Sequence, residues 1–155
     1  MAVSAGLAGC AESHKLSLRV TELEKFLRFV SSARTEIRYT ALPVEELIRR
    51  HGGELALWKP CMESLEQGKS FSEAWNDGVR NSGKMGLTGR DRELLENFGS
   101  GLGVTDIEGQ LAHCGLYEEL TKKGLEEAKE EKGKKARLYQ MLGFSAGLAA
   151  ALLLW

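Results

Sequence analysis

The sequence predicts an all-α fold: a compact six-helix bundle whose last helix is long and continues into a C-terminal transmembrane helix. Three observations carry this expectation. Apolar residues recur at helical spacing along the charged part of the chain, with no sustained strand alternation. The periodic segments are bounded by helix-capping pairs and by glycines. The charge is also partitioned: all 21 Lys and Arg and all 22 Asp and Glu lie between Glu12 and Arg137, and residues 1–11 and 138–155 carry none. A charged body with two apolar ends has the composition of a membrane-attached protein.

The first helix is expected from Thr21 to Thr40, because Thr21 and Glu24 have capping-box spacing. Its apolar face is Leu23, Phe26, Leu27, Val30, Ala33 and Ile37. Pro43 suits an early position in a second helix that buries Val44, Leu47 and Ile48 and stops at Gly52-Gly53. A third helix is expected over 54–67, with Leu55, Trp58, Met62 and Leu65 inward. Pro60 inside it implies a kink or a later start. Ser70 with Glu73 opens a fourth helix that buries Phe71, Ala74, Trp75 and Val79, and 81–87 reads as a glycine-containing loop. Thr88 with Asp91 opens a fifth, burying Leu94, Leu95 and Phe98, which the glycines from Gly99 to Gly103 end. Thr105 with Glu108 is expected to cap the sixth, whose inner face is Ile107, Leu111, Cys114, Leu120 and Leu125.

The domain organisation follows from the charge partition. Residues 1–11 are an apolar N-terminal segment, too short to span and read as the remnant of a first transmembrane helix. Residues 12–137 form the helical body, and 138–155 the C-terminal transmembrane helix. Eighteen helical residues reach about 27 Å, close to the hydrocarbon thickness of about 30 Å. Lys132, Lys134, Lys135 and Arg137 precede that segment and keep the body cytoplasmic. Trp155 would anchor the far interface, and Gly143 and Gly147 form a G-x-x-x-G packing face. Cys10 in Leu7-Ala8-Gly9-Cys10 resembles a lipoprotein processing box, but no basic residue precedes it.

Catalytic and cofactor signatures are not found. Cys10, Cys61 and Cys114 form no C-x-x-C pair, and His14, His51 and His113 lack partners at metal-ligand spacing. His113 and Cys114 are neighbours on a helix and diverge. Gly68-Lys69-Ser70 imitates the end of a phosphate loop, but Glu63 stands where its first glycine belongs. Asp91, Asp106 and Glu108 read as helix-start groups favoured by the helix dipole. No cofactor is expected. Two functional alternatives remain from the residues: a small membrane-associated enzyme built on His51, Cys61 and Asp106, and a regulatory adaptor binding nucleic acid through the lysines from Lys122 to Arg137. Interleaved glutamates and a net charge of -1 argue against nucleic acid.

Four stretches in order resemble the stage III sporulation protein AB family of endospore-forming bacteria: LEKFLRFVSSARTEIRYTALPVEELI (23–48), SFSEAW (70–75), DRELLENFGSGLGVTDIEGQ (91–110) and ARLYQMLGFSAGLAAALLLW (136–155). Within them Glu36, Ile37, Tyr39, Pro43, Trp75, Phe98, Gly99, Leu102, Gly103, Asp106 and Gln110 carry the likeness. Family members usually begin with a complete membrane helix. The resemblance implies a non-enzymatic membrane protein on the mother-cell side of the forespore boundary, part of a channel-like apparatus. Its helical domain resembles that of the type II secretion platform protein. The implied partners are an AA-like secretion ATPase, other membrane components of the same apparatus and the lipid bilayer. Under this resemblance Tyr39 and Pro43 fix the corner between the first two helices, and Trp75 fills the core. Gly99, Gly101 and Gly103 allow the tight turn, and Asp106 and Gln110, one turn apart, face a partner.

Overall fold

Two long helices, α1 (Ala2–Thr40) and α6 (Ile107–Leu153), run antiparallel and form the spine on which four shorter helices pack. The computed structural model describes residues 2–83 and 85–154, with side chains from Ala8 onward. The shorter helices are α2 (Val44–His51), α3 (Trp58–Glu66), α4 (Phe71–Asn81) and α5 (Gly89–Gly101), and no strand occurs among the described residues. The all-α, six-helix expectation holds, as does the long last helix.

The spine follows from a heptad-like stripe. Leu16, Val20, Leu23, Phe26, Val30, Ala33 and Ile37 recur every three or four residues on α1 and are all buried. On α6, Cys114, Thr121, Leu125 and Ala128 answer them, small or polar except for Leu125. Thr121 spends its hydroxyl on its own helix, donating to the Tyr117 carbonyl at 2.6 Å, so a buried polar group is satisfied. Ion pairs run along the seam in reversed order: Arg34–Glu118, Lys129–Glu24, Arg19–Glu131 and Lys135–Glu12. That order fixes the antiparallel register.

The caps at the centre of the chain are as expected. Ser70 and Glu73 close a reciprocal capping box on α4, and Thr88 and Asp91 close one on α5. Elsewhere the structure corrects the sequence reading. The first helix does not begin at Thr21: α1 passes through it, and the Thr21 hydroxyl donates back to Ser17 O at 3.0 Å. Nothing before Thr21 breaks a helix, and a capping pair without a break is only a pair of helix-surface residues. The third helix takes the later start, at Trp58. Pro60 then falls in its first turn, where no intrahelical N–H bond is required. Helix α5 runs through Gly99 to Gly101, so those glycines do not end it. The cap of α6 is Asp106, not Thr105; its carboxylate accepts from Gly109 N at 2.9 Å. Ile107 and Leu120 are exposed rather than on the inner face.

The core centres on Trp75, which is fully buried among Phe26, Phe29, Phe71 and Phe98 at centroid distances of 5.5 to 6.3 Å. Its indole N–H donates to Leu95 O at 2.7 Å. Beyond the bundle α6 continues unbroken. It is the one helix among the described residues with an 18-residue window apolar enough to cross a membrane, and none of that window is buried. Trp155 lies outside the described residues, as do the side chains of residues 1–7.

Candidate functional site at the end of the bundle remote from the apolar segment

Two turns meet at this end. The α1–α2 turn passes through Ala41, the one described non-glycine residue at positive φ (49°), and Pro43, which sits at the N-cap of α2 rather than inside it. The α5–α6 turn contains Gly103 at φ 80°. A Cβ on Gly103 would come within 2.9 Å of Val44 Cγ1, so the glycine serves both its own backbone and the approach of the other turn. Glu36, Tyr39, Pro43, Gly103, Asp106 and Gln110 are therefore carried to one end of the bundle. Trp75 and Gly99 are not with them: they are buried in the core. A Cβ on Gly99 would collide with the Trp75 ring, so close packing, not a turn, requires glycine there. Gly101 is likewise closed over by the His113 ring.

Tyr39 does not pack into the helix corner. It is 77% exposed, and Val104 is 72% exposed on the neighbouring turn. Burial in an amphipathic helix is decided by face. Tyr39 follows Ile37, the last inward residue, by two positions and so points away from the core. Asp106 caps α6, while Gln110 donates its side-chain amide to Thr105 O at 3.0 Å. Both are thus tied to the turn that presents them.

The electrostatics of this end are mixed. The Thr40 hydroxyl first, then the His51 ring at 3.1 Å, hold the Glu36 carboxyl below its ordinary range. Beside it a recess of about 420 Å³ is lined by Ser31, Arg34, Thr35, Arg38, Tyr39 and Glu118. Arg34 pairs with Glu118 at 2.9 Å, but its buried Nε has no hydrogen-bond partner among the described residues. Guanidinium, hydroxyl and phenol groups next to exposed apolar side chains suit non-covalent docking of a polypeptide.

Each residue of the enzyme alternative is enclosed or engaged elsewhere. Cys61 is enclosed in the core, with burial pushing its thiol up to about 11, opposite to the activation of a nucleophile. His51 is engaged with Glu36 and Asp106 with the α6 terminus. Cys114 is also buried and pushed up to about 11, while the adjacent His113 turns to Phe98 O at 2.8 Å. Among the described residues no group of three or more His, Cys, Asp and Glu could hold a metal ion.

Sequence reasoning missed one constellation. Arg19 of α1, absent from the expected inner face, is buried and forms a two-point ion pair with Asp91 at 2.7 and 3.1 Å. Asp91 accepts from Thr88 N as well, at 2.9 Å. The helix-start reading of Asp91 is right but incomplete, because its partner lies 72 residues away in sequence.

The comparisons with known proteins give one finding. A family model described as stage III sporulation protein AB matches residues 1–155, the whole chain. No curated protein and no solved structure matches.

Proposed function

The chain belongs to the stage III sporulation protein AB family, and on that premise, which supports a role in sporulation, we propose that it is a non-enzymatic, membrane-anchored platform that docks a cytoplasmic secretion-type ATPase of the AA type. The observation that carries this reading is the continuity of α6. One helix joins the exposed apolar stretch from Leu138 onward to the turns that present Tyr39, Val104 and Ile107 at the opposite end. A scaffold needs that arrangement: an anchor at one end, a presented face at the other, and a stiff connection between. Lys132, Lys134, Lys135 and Arg137 favour a cytoplasmic body, on the mother-cell side in this reading. A Cβ on Gly143 or Gly147 would meet nothing within 4 Å among the described residues, which leaves that face for another membrane component of the apparatus.

The test is binding of the full chain, reconstituted in lipid, to the purified ATPase, with a pull-down from sporulating cell extract alongside. Exposed aromatics at the centre of an interface contribute about 2 kcal/mol or more. Tyr39→Ala is therefore expected to weaken binding at least about thirtyfold, while Glu66→Ala, an exposed change at the end of α3, leaves it intact. An ATPase that ignores the full chain would remove the platform reading. Unchanged binding by Tyr39→Ala would move the docking face away from these turns.

A further inference from the structure

A second cavity lies at the opposite end of the body, beside the start of the apolar segment. Its height is set by the α1–α6 register. Lys135 pairs with Glu12 at 2.8 Å, and Gly9 packs directly against the Tyr139 ring. The first apolar residues of α6 therefore stand level with Gly9 and Cys10 of α1. Ala11, Lys15 and Leu18 descend from that level and form one wall of an open cavity of about 530 Å³. The other wall is the loop between α4 and α5, with Met85 and Leu87, both buried. The loop is held tightly against α1. Gly86 has φ 68°, and a Cβ there would overlap the Lys15 carbonyl.

The cavity is apolar with cations on its lining. Arg92 donates to Val79 O at 3.0 Å and Gly83 O at 3.2 Å, so its guanidinium is fixed in place, and it makes no ion pair among the described residues. Lys15 is exposed and makes no ion pair among the described residues. The carboxylates nearby are already engaged: Glu12 by Lys135 and Asp91 by Arg19. From Ala11 to Leu18 the wall descends about 10 Å, and the polar layer on each side of a bilayer is about 6 Å deep. Apolar walls, fixed cationic groups and this height match one ligand chemistry.

Resting on the membrane-anchored reading above, we propose that this cavity binds the headgroup of an anionic phospholipid. The phosphate lies between Lys15 and Arg92, and the glycerol end lies against Ala11, Met85 and Leu87. A lipid so held would clamp the α4–α5 loop to α1 at the membrane surface and fix the orientation of the body.

Hydrogen exchange of the full chain in nanodiscs tests this. Discs of phosphatidylcholine alone are compared with discs containing phosphatidylglycerol, reading the amides of Met85, Gly86 and Leu87. The anionic lipid is expected to slow their exchange. Lys15→Gln should reduce that protection about fivefold, the equivalent of the ~1 kcal/mol that one lysine contributes beside an anionic membrane surface. Lys132→Gln, at the same height on α6 but outside the cavity, should leave the protection in place; circular dichroism checks that both variants fold. No response to phosphatidylglycerol, an equal loss in Lys132→Gln, or the same protection from inorganic phosphate in phosphatidylcholine discs would each overturn the lipid site. The amides from Leu138 to Leu153 report separately. Protection there without a loop response sinks the headgroup site alone, whereas free exchange there sinks the membrane reading and the site with it.

Discussion

Trp75 is touched by rings from three helices, Phe26 and Phe29 on α1, Phe71 on its own α4 and Phe98 on α5, and Gly99 closes over its indole. Trp75→Ala should therefore cost about 3–5 kcal/mol, read as a lowered denaturant midpoint with an unchanged slope. Gly99→Ala should cost about 1–3 kcal/mol by overpacking, although alanine is the better helix former. Trp75 is legible in the sequence, from its place on the inner stripe behind a capping box. Gly99 reads there as a helix end, wrongly, because a glycine-rich run looks the same whether it serves a turn or the close passage of a ring. Only tertiary packing distinguishes the two.

Asp91 adds a pH dependence. Burial alone would raise its pKa, but the Arg19 hydrogen bonds and those from Thr88 outweigh it and hold the carboxyl below its ordinary 3.8. A depressed carboxylate gives stability that is complete above the unfolded value and is lost as pH falls through the folded one. Asp91→Asn leaves the buried Arg19 with only its longer contact to the half-exposed Glu131 at 3.4 Å, at a cost of about 3 kcal/mol near neutrality. The wild-type lead over Asp91→Asn should be full above about pH 4 and shrink below it, measured by urea midpoints across the acid range. A lead that stays constant down to the acid limit would show that the pair is not what stabilises Asp91 in its ionised form.

At the scale of elements, the central helices are readable from sequence and the long ones are not fully so. Helices α4 and α5 each begin with a capping box after a real interruption, Gly68 before one and Gly83 and Gly86 before the other, all at positive φ. In α1 the box at Thr21 is an accident of composition, and the helix runs on to Ala2 because its apolar stripe continues through Leu16 and Val20 onto α6. Gly133 offers the converse trap, a glycine that looks like a hinge within a continuous helix. Arg19–Glu131 and Lys135–Glu12 brace α6 against α1 on either side of it. A Cβ there would meet nothing within 4 Å among the described residues. Gly133→Ala should thus raise stability by about 1 kcal/mol without altering structure. Spin labels at Lys129, Gly133 and Arg137 in the lipid-reconstituted chain should show helical periodicity and uniformly low mobility. A mobility maximum at 133 would reveal a hinge.

The whole molecule is then an antiparallel pair of long helices with four short helices packed around one part of it. The site in the turns can be read only in part from the sequence. Pro43, Gly103 and Asp106 announce turns, but that the two turns touch through Val44 and Gly103 depends on the register of α1 against α6. That register has a dimension that can be measured. From Ile107 to Arg137 the helix rises about 45 Å, or about 42 Å with the average tilt of a membrane helix. If the apolar segment spans the bilayer and α6 stays straight, the turns carrying Tyr39 and Val104 stand that far from the membrane surface. A fluorophore at Ile107, which is exposed, should report a narrow distribution of distances to acceptor lipids centred near 40–45 Å. A body lying along the membrane would instead give a centre below about 25 Å, and a hinged one a broad distribution. A fixed height matters for the platform proposed above, since a ring-shaped ATPase docking to several copies would then meet its contact face at one level and in one orientation. A short or broad distribution would leave the turns exposed but unable to present a common plane, and the platform mechanism would fail at the scale where it operates.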